Sequence, residues 1–180
     1  MSKVLVITTS LRAGSNSDRL AEEMVKGAKE SGHQVEQISL KDKEIRFCRG
    51  CFVCQKTQKC VIKDDAIEIA ERVKEADTLV FATPIYYYEM SGQMKTLLDR
   101  CNPLYTTDYK FRNVYLLSTA AEDEEFVPEK AVSGLQGWID CFEKASFAGS
   151  LFCGGVNERG EAEKHAEELK KAYKFGKTLK

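Results

Sequence analysis

Four cysteines fall within thirteen residues, Cys48, Cys51, Cys54 and Cys60, in the spacing C-x2-C-x2-C-x5-C. Thiols three residues apart can turn toward one point across a tight loop, and a fourth, six residues on, can close the shell from a return turn. Metals bind the thiolate, and thiolates held this close repel one another unless a cation lies between them. Such a run can hold a metal centre or carry reversible dithiol–disulfide exchange, and both point to redox chemistry. Structural zinc suits it poorly, because zinc sites pair ligands that are well separated along the chain. The two histidines, His33 and His165, lie far from the run and are expected at the surface.

Two further segments carry groups that could hold a ligand. Thr9–Ser17 (TSLRAGSNS) is dense in hydroxyls, with Arg12 and Asn16, ahead of a helical pattern. It matches neither G-x-G-x-x-G nor G-x-x-x-x-G-K-[ST]. A phosphate monoester would suit it, because helix N-terminal amides favour a dianion, Ser10, Ser15 and Ser17 can donate, and Arg12 adds charge. A plain helix cap by Ser15 or Ser17 is the simpler account. The second segment, Thr83–Lys95, contains Pro84, Ile85 and the consecutive Tyr86, Tyr87 and Tyr88. Aromatic walls and backbone amides would serve a flat ring system. They would equally pack on a neighbouring subunit, and both roles hold together if the ligand lies at a dimer interface. Ser118, Thr119 and Ala120, and likewise Gly154 and Gly155, are small residues that would let a planar ligand approach the backbone, and both signals are weak.

These segments need a scaffold, and the chain alternates strand and helix throughout. Apolar runs predict strands at Lys3–Thr9, Gln34–Leu40, Asp77–Thr83, Arg112–Thr119 and Phe147–Cys153. Helical periodicity predicts helices at Ser17–Glu30, from Lys63 to about Glu75, and at Ser91–Cys101, Pro128–Lys144 and Glu161–Phe175. That alternation implies a single α/β domain over residues 1–180, a five-stranded parallel sheet covered by helices on both faces. Of the two common doubly wound strand orders, one is 2-1-3-4-5. Ligands bind such sheets at the carboxyl ends of the strands, where all three segments fall. The connection from 42 to 63, which holds the cysteines, is longer than an ordinary loop and is expected to be functional.

Composition excludes several classes. The 180 residues include 27 basic and 28 acidic side chains, a net charge of −1, so no basic field favours nucleic acid. No apolar run approaches the roughly 20 residues of a membrane span. The run Val4–Ile7 is too short for a secretory signal core, so a cytoplasmic location is expected. Seven cysteines are then expected as reduced thiols. Cys101, Cys141 and Cys153, each among apolar neighbours, are expected to be buried.

The segments together resemble the flavodoxin-like NAD(P)H-dependent FMN reductases. Ser10, Arg12, Ser15, Asn16 and Ser17 resemble that family's S-x-R-x-x-S-N-[ST] phosphate loop. Ala82, Pro84, Tyr86, Ser91, Gly92, Met94 and Lys95 resemble its [AS]-x-P-x-Y loop leading into S-G-x-[ML]-K. The resemblance spans nearly the whole chain. It implies a flavodoxin-like three-layer sandwich in the order 2-1-3-4-5. It also implies FMN on Ser10–Ser17, Pro84–Tyr88 and Ser118–Ala120, NAD(P)H as co-substrate, and no catalytic side chain, since the chemistry belongs to the flavin. The homodimer or homotetramer it implies would place FMN near the subunit interface, with the Tyr86–Tyr88 loop and the Ser91–Cys101 helix in the contact. The cysteine run, placed after the second strand, resembles that of the iron–sulfur flavoproteins, which implies Cys48, Cys51, Cys54 and Cys60 as ligands of a [4Fe–4S] cluster. Val61 follows the last cysteine where bacterial ferredoxins have Pro, and the x5 gap suits four ligands of one centre. A reversible disulfide, zinc or no group at all remain alternatives for the run. The donor would be NAD(P)H or a ferredoxin-like protein, and the acceptor a quinone, oxygen or another redox protein. An electron carrier without its own substrate and a zinc-binding scaffold are the alternative functions.

Overall fold

Apolar runs bounded by polar turns form the strands of one sheet. The computed structural model describes all 180 residues. Its strands are β1 (Lys3–Thr8), β2 (Gln34–Ser39), β3 (Thr78–Tyr86), β4 (Glu89–Met90), β5 (Asn113–Thr119) and β6 (Ser146–Cys153). The order is β2-β1-β3-β5-β6, all parallel, with the short β4 antiparallel to the end of β3. Without β4 this is the flavodoxin-like order expected.

The helices are α1 (Asn16–Glu30), α2 (Val53–Thr57), α3 (Ala66–Glu75), α4 (Gly92–Arg100), α5 (Glu129–Ile139) and α6 (Ala166–Lys177). Strand residues alternate between two cores, as the two-residue period of a strand requires. Leu5, Ile7, Leu79, Phe81 and Leu116 face α3, α4 and α5 through Ile69, Val73, Met94, Leu97 and Leu135. Val4, Val6, Val80, Ala82 and Leu117 face α1 and α6 through Leu20, Met24, Leu169 and Ala172. The central strands β1 and β3 are therefore buried on both faces, which is why they read as unbroken apolar runs.

Three elements differ from their sequence patterns. β3 continues past Thr83 to Tyr86 because β4 pairs back on it, Ile85 with Met90 and Tyr86 with Glu89. Pro84 is tolerated there because β1 has already ended opposite Ala82, leaving β3 paired to β5 on one side. α5 stops at Ile139, not at Lys144, because Phe142 turns back into an aromatic cluster, 4.7 Å from Trp138 and 5.1 Å from Tyr109 between ring centroids. The last helix is split into a 3-10 turn (Glu161–Lys164) and α6, and the division falls at His165.

Candidate functional site

The carboxyl ends of β1, β3 and β5 open into one groove of about 300 Å³. Ser10, Arg12, Ser15, Asn16 and Ser17 line it from the β1–α1 loop. Pro84, Ile85, Tyr86 and Tyr87 line it from the β3–β4 hairpin, and Thr119 and Ala120 from the end of β5. Tyr88 and Ser118 lie outside this lining. Tyr88 turns the other way, stacking on Phe126 at 6.1 Å and 14° with the Lys130 ammonium 5.8 Å above its ring. Ser118 is fully buried within β5, and its Oγ has no partner.

Hydroxyls and helix-start amides make the β1–α1 loop a polar cradle. Ser15 caps α1 by accepting from the Asp18 amide at 3.1 Å and lies 3.2 Å from the Ser17 hydroxyl. Ser10 Oγ accepts from the Arg12 amide at 3.2 Å. The first amides of α1, at Asn16 and Ser17, have no carbonyl one turn back to bond, so they and the helix dipole are offered to the groove. Arg12 Nη1 donates to the Asn157 carbonyl at 2.8 Å. Asn16 has a different role from the one its position suggests. Its Nδ2 donates to the Glu158 carbonyl at 2.9 Å, and its Oδ1 accepts from the Ala162 amide at 3.0 Å. Both ends of the side chain are therefore spent bolting the loop after β6 to the cradle. That loop contributes Val156 and Asn157 to the groove, and its Arg159 lies over Gly14. Nothing in the local sequence marks these residues; only the β6 strand end, already singled out at Gly154 and Gly155, points to the neighbourhood. Those two glycines instead admit Glu122 and Asp123, since a Cβ at Gly154 would meet Asp123 Cα at 2.4 Å.

The hairpin wall is strained. Tyr87 and Tyr88 have φ of 52° and 65°. A two-residue hairpin turn with both central residues left-handed ordinarily uses Asn-Gly, and each non-glycine residue there costs about 1–2 kcal/mol. Cross-strand pairing, the Tyr88–Phe126 stack and the bond from the Ser91 amide to Thr83 Oγ1 at 3.0 Å hold it in place. The result is a fully exposed Tyr87 ring at the groove's lip.

The cysteine loop lies on the flank of the sheet, against α4 and the 3-10 turn Asn102–Thr106. The four thiols do not meet: Cys48 and Cys51 are exposed, Cys60 is half-buried and Cys54 is buried, and no three potential ligands in the chain are placed to share an ion. The cause is α2, a single turn too short to be read from periodicity. It carries Cys54 inward, where Asn102 Nδ2 donates to its sulfur at 3.1 Å, while Cys48 and Cys51 stay on the irregular segment before it. Left-handed residues bracket this turn, Phe52 at φ 55° and Gln58 at 56°. The donor chemistry suits a [4Fe–4S] cluster but the arrangement of the thiols does not. Of the other three cysteines, Cys101 and Cys153 are buried, and burial pushes their thiols up to about 12 and about 11. Cys141, expected inside, is exposed because α5 has already ended.

Beneath the loop lies a fully buried ion pair, Arg100 with Asp64 at 2.7 Å. Burial alone would push the Asp64 carboxyl up, but hydrogen bonds from Arg100 and from the Arg46 and Ala66 amides outweigh it and hold the group below its ordinary 3.8. A lowered carboxyl stabilises the fold fully above its unfolded value and loses that contribution as pH falls through the lower, folded one. The urea midpoint of the wild type should therefore decline below about pH 3.8. Asp64→Asn should lower the midpoint at pH 7 and flatten that acid limb; an unchanged limb would exclude Asp64 as its source.

Residues 2–126 match the family described as NADPH-dependent FMN reductase. The chain is 41% identical over 102 residues to an iron-sulfur flavoprotein of Methanocaldococcus jannaschii, a match covering 57% of this chain and 53% of that one. It is 35% identical over 101 residues to an iron-sulfur flavoprotein of Archaeoglobus fulgidus, covering 56% and 46%. The chain thus spans about half the length of these curated relatives. Among solved structures, the NAD(P)H:quinone oxidoreductase of Methanothermobacter marburgensis superposes with a TM-score of 0.81 over 99% of this chain and 96% of that one, at 21% identity, which establishes the shared fold. No helix is long and apolar enough to cross a membrane.

Proposed function

Because the chain belongs to the NADPH-dependent FMN reductase family, we propose that it is an FMN-dependent oxidoreductase that passes electrons from NAD(P)H to a small acceptor such as a quinone. One observation carries this: a single groove places an anion cradle, a strained aromatic wall and a small-residue floor at three adjacent strand ends. The donor set fits FMN, with a phosphate at the cradle and a planar ring toward Pro84–Tyr87. FMN, when bound, supplies the hydride acceptor and donor, so no side-chain nucleophile or general base is required. The chain's own residues bind and orient. The α1 amides with Ser10, Ser15 and Ser17 hold the dianion, Arg12 adds positive charge, and the hairpin backbone fixes the ring. Thr119 and Ala120, both nearly inaccessible, keep water from beneath it.

The test is a thermal shift with FMN and with riboflavin. At one hundred times Kd, bound FMN adds about 2.7 kcal/mol, which for a chain this size raises Tm by roughly 5–10 °C. Riboflavin, lacking the phosphate, should give a much smaller rise. No shift with saturating FMN would sink the proposal. NADPH oxidation with a quinone in steady state separates an enzyme from an electron carrier without its own substrate.

The cysteine loop supports a second reading, in which it adds a one-electron centre to the flavin. The supporting observation is the C-x2-C-x2-C-x5-C run in a chain akin to proteins named iron-sulfur flavoproteins. The thiols would meet only after rearrangement between residues 47 and 61. About four irons per chain after anaerobic reconstitution supports this reading, and none excludes it. Tyr86 and Tyr87 are exposed apolar side chains at the groove. They favour a homodimer or homotetramer; a monomer at micromolar concentration by light scattering would rule that out.

A further inference from the structure

The cysteine loop is held at both ends by one buried side chain. Arg100, the last residue of α4, is 2% exposed. Its Nη1 donates to the Arg46 carbonyl at 2.6 Å and to Asp64 Oδ2 at 2.7 Å. Its Nη2 donates to the Ile62 carbonyl at 3.2 Å and to Asp64 Oδ1 at 2.8 Å. Asp64 completes the clasp, since Oδ2 also accepts from the Arg46 amide at 2.9 Å and Oδ1 from the Ala66 amide at 3.2 Å. Arg46 and Ile62 are the residues on either side of Phe47–Val61, the segment that contains all four clustered cysteines. One guanidinium therefore closes this segment into a ring. Only a planar fork can do so, because the four bonds leave in fixed directions that an ammonium cannot reproduce. Arg100 Nε has no partner.

We infer that Arg100 is a positioning residue for the cysteine loop: it fixes both ends of Phe47–Val61, so that any change in the arrangement of the four thiols takes place inside a rigid frame. The contrast inside the frame supports this. The ends are locked by buried charge-assisted bonds, whereas the interior carries two left-handed residues, Phe52 and Gln58, and a single helical turn. The inference deepens the second reading above, and its experiment separates the two.

The full chain is compared with Arg100→Lys, which keeps the charge and loses the fork. Under reducing, metal-free conditions, iodoacetamide should label Cys48 and Cys51 quickly and Cys54 slowly in the wild type. In the variant, Cys54 labelling should rise at least tenfold, while Cys153, in the opposite core, stays unlabelled and the FMN Kd stays within twofold. Unchanged Cys54 labelling in a folded variant overturns the inference. If Cys153 labels, the variant has unfolded and wild-type hydrogen exchange decides: the Arg46 and Ala66 amides should exchange as slowly as those in the middle of α4, and exchange at loop rates overturns the inference. After anaerobic incubation with iron and sulfide, the variant should retain less than half the wild type's iron and visible cluster absorbance. Equal loading in the two proteins also overturns it. A wild type that takes up no iron defeats the second reading alone, and the labelling result then stands as the test of Arg100.

Discussion

Gly27→Ala and Gly176→Ala should each destabilise the protein severely, whereas Gly137→Ala should stabilise it. All three glycines are helical, and in an exposed helix Ala is favoured over Gly by about 1 kcal/mol. At Gly137, in α5, an added Cβ meets nothing within 4 Å, so that preference should appear as a gain of up to about 1 kcal/mol. At Gly27 the Cβ would stand 2.0 Å from the Tyr173 carbonyl oxygen, and at Gly176 it would stand 2.0 Å from the Met24 carbonyl oxygen. The two contacts are reciprocal, α1 against α6 and α6 against α1. The obstructing atoms are backbone, so no side chain can swing aside and the helices must separate. Separation opens the core formed by Leu20, Met24, Leu169 and Ala172. Overpacking with no rotamer escape costs about 3 kcal/mol or more, which outweighs the helix preference and should lower Tm by roughly 6–12 °C at either site. Thermal unfolding of the three single variants checks this. A stabilised Gly27→Ala would mean that α1 and α6 are not in contact.

The scaffold was readable because buried parallel strands impose a strong constraint. β1 and β3 must be apolar on both faces, so their residues announce themselves without reference to partners. The polar cradle at the start of α1 was readable for a related reason: its cap, hydroxyls and helix start are contiguous in Ser10–Ser17. What escaped depends on contacts between distant segments or on broken local rules. The β3–β4 hairpin was hidden because Tyr87 and Tyr88 occupy positions where Asn-Gly would advertise the turn. The strain is instead carried by cross-strand pairing and by the stack on Phe126. α2 is shorter than any periodicity can register. Arg100 and Asp64 look like ordinary surface charges in the sequence, and only the fold brings Arg46, Ile62 and Asp64 to one guanidinium. The cysteine spacing shows that four thiols can share a centre, but not whether the folded loop brings them together. Cys54 is drawn to Asn102, a residue 48 positions away.

Asn16→Asp should weaken FMN binding by at least about 100-fold, or about 2.8 kcal/mol at 1.4 kcal/mol per tenfold, while changing riboflavin binding less than about threefold. The side chain is buried, with Nδ2 donating to the Glu158 carbonyl and Oδ1 accepting from the Ala162 amide. A carboxylate preserves the second bond and replaces the first with an oxygen facing a carbonyl oxygen. Leaving that carbonyl unpaired costs about 1–3 kcal/mol of stability. The larger effect is on the ligand. An acidic residue in a first helical turn normally gains about 0.3–1 kcal/mol from the helix dipole. Here the same position lines the cradle, and a like charge placed close by near a surface is repelled by about 1–4 kcal/mol. Repulsion between carboxylate and phosphate dianion therefore dominates, and it acts only on a ligand that carries the phosphate. Asn16→Ala separates the two contributions, because it removes both bonds and adds no charge. It should lose comparable stability and weaken FMN by only about tenfold, equivalent to about 1.4 kcal/mol. Calorimetric titration of both flavins against the three proteins checks this. Equal losses for FMN and riboflavin would show that Asn16 acts on the fold alone and that the phosphate lies elsewhere.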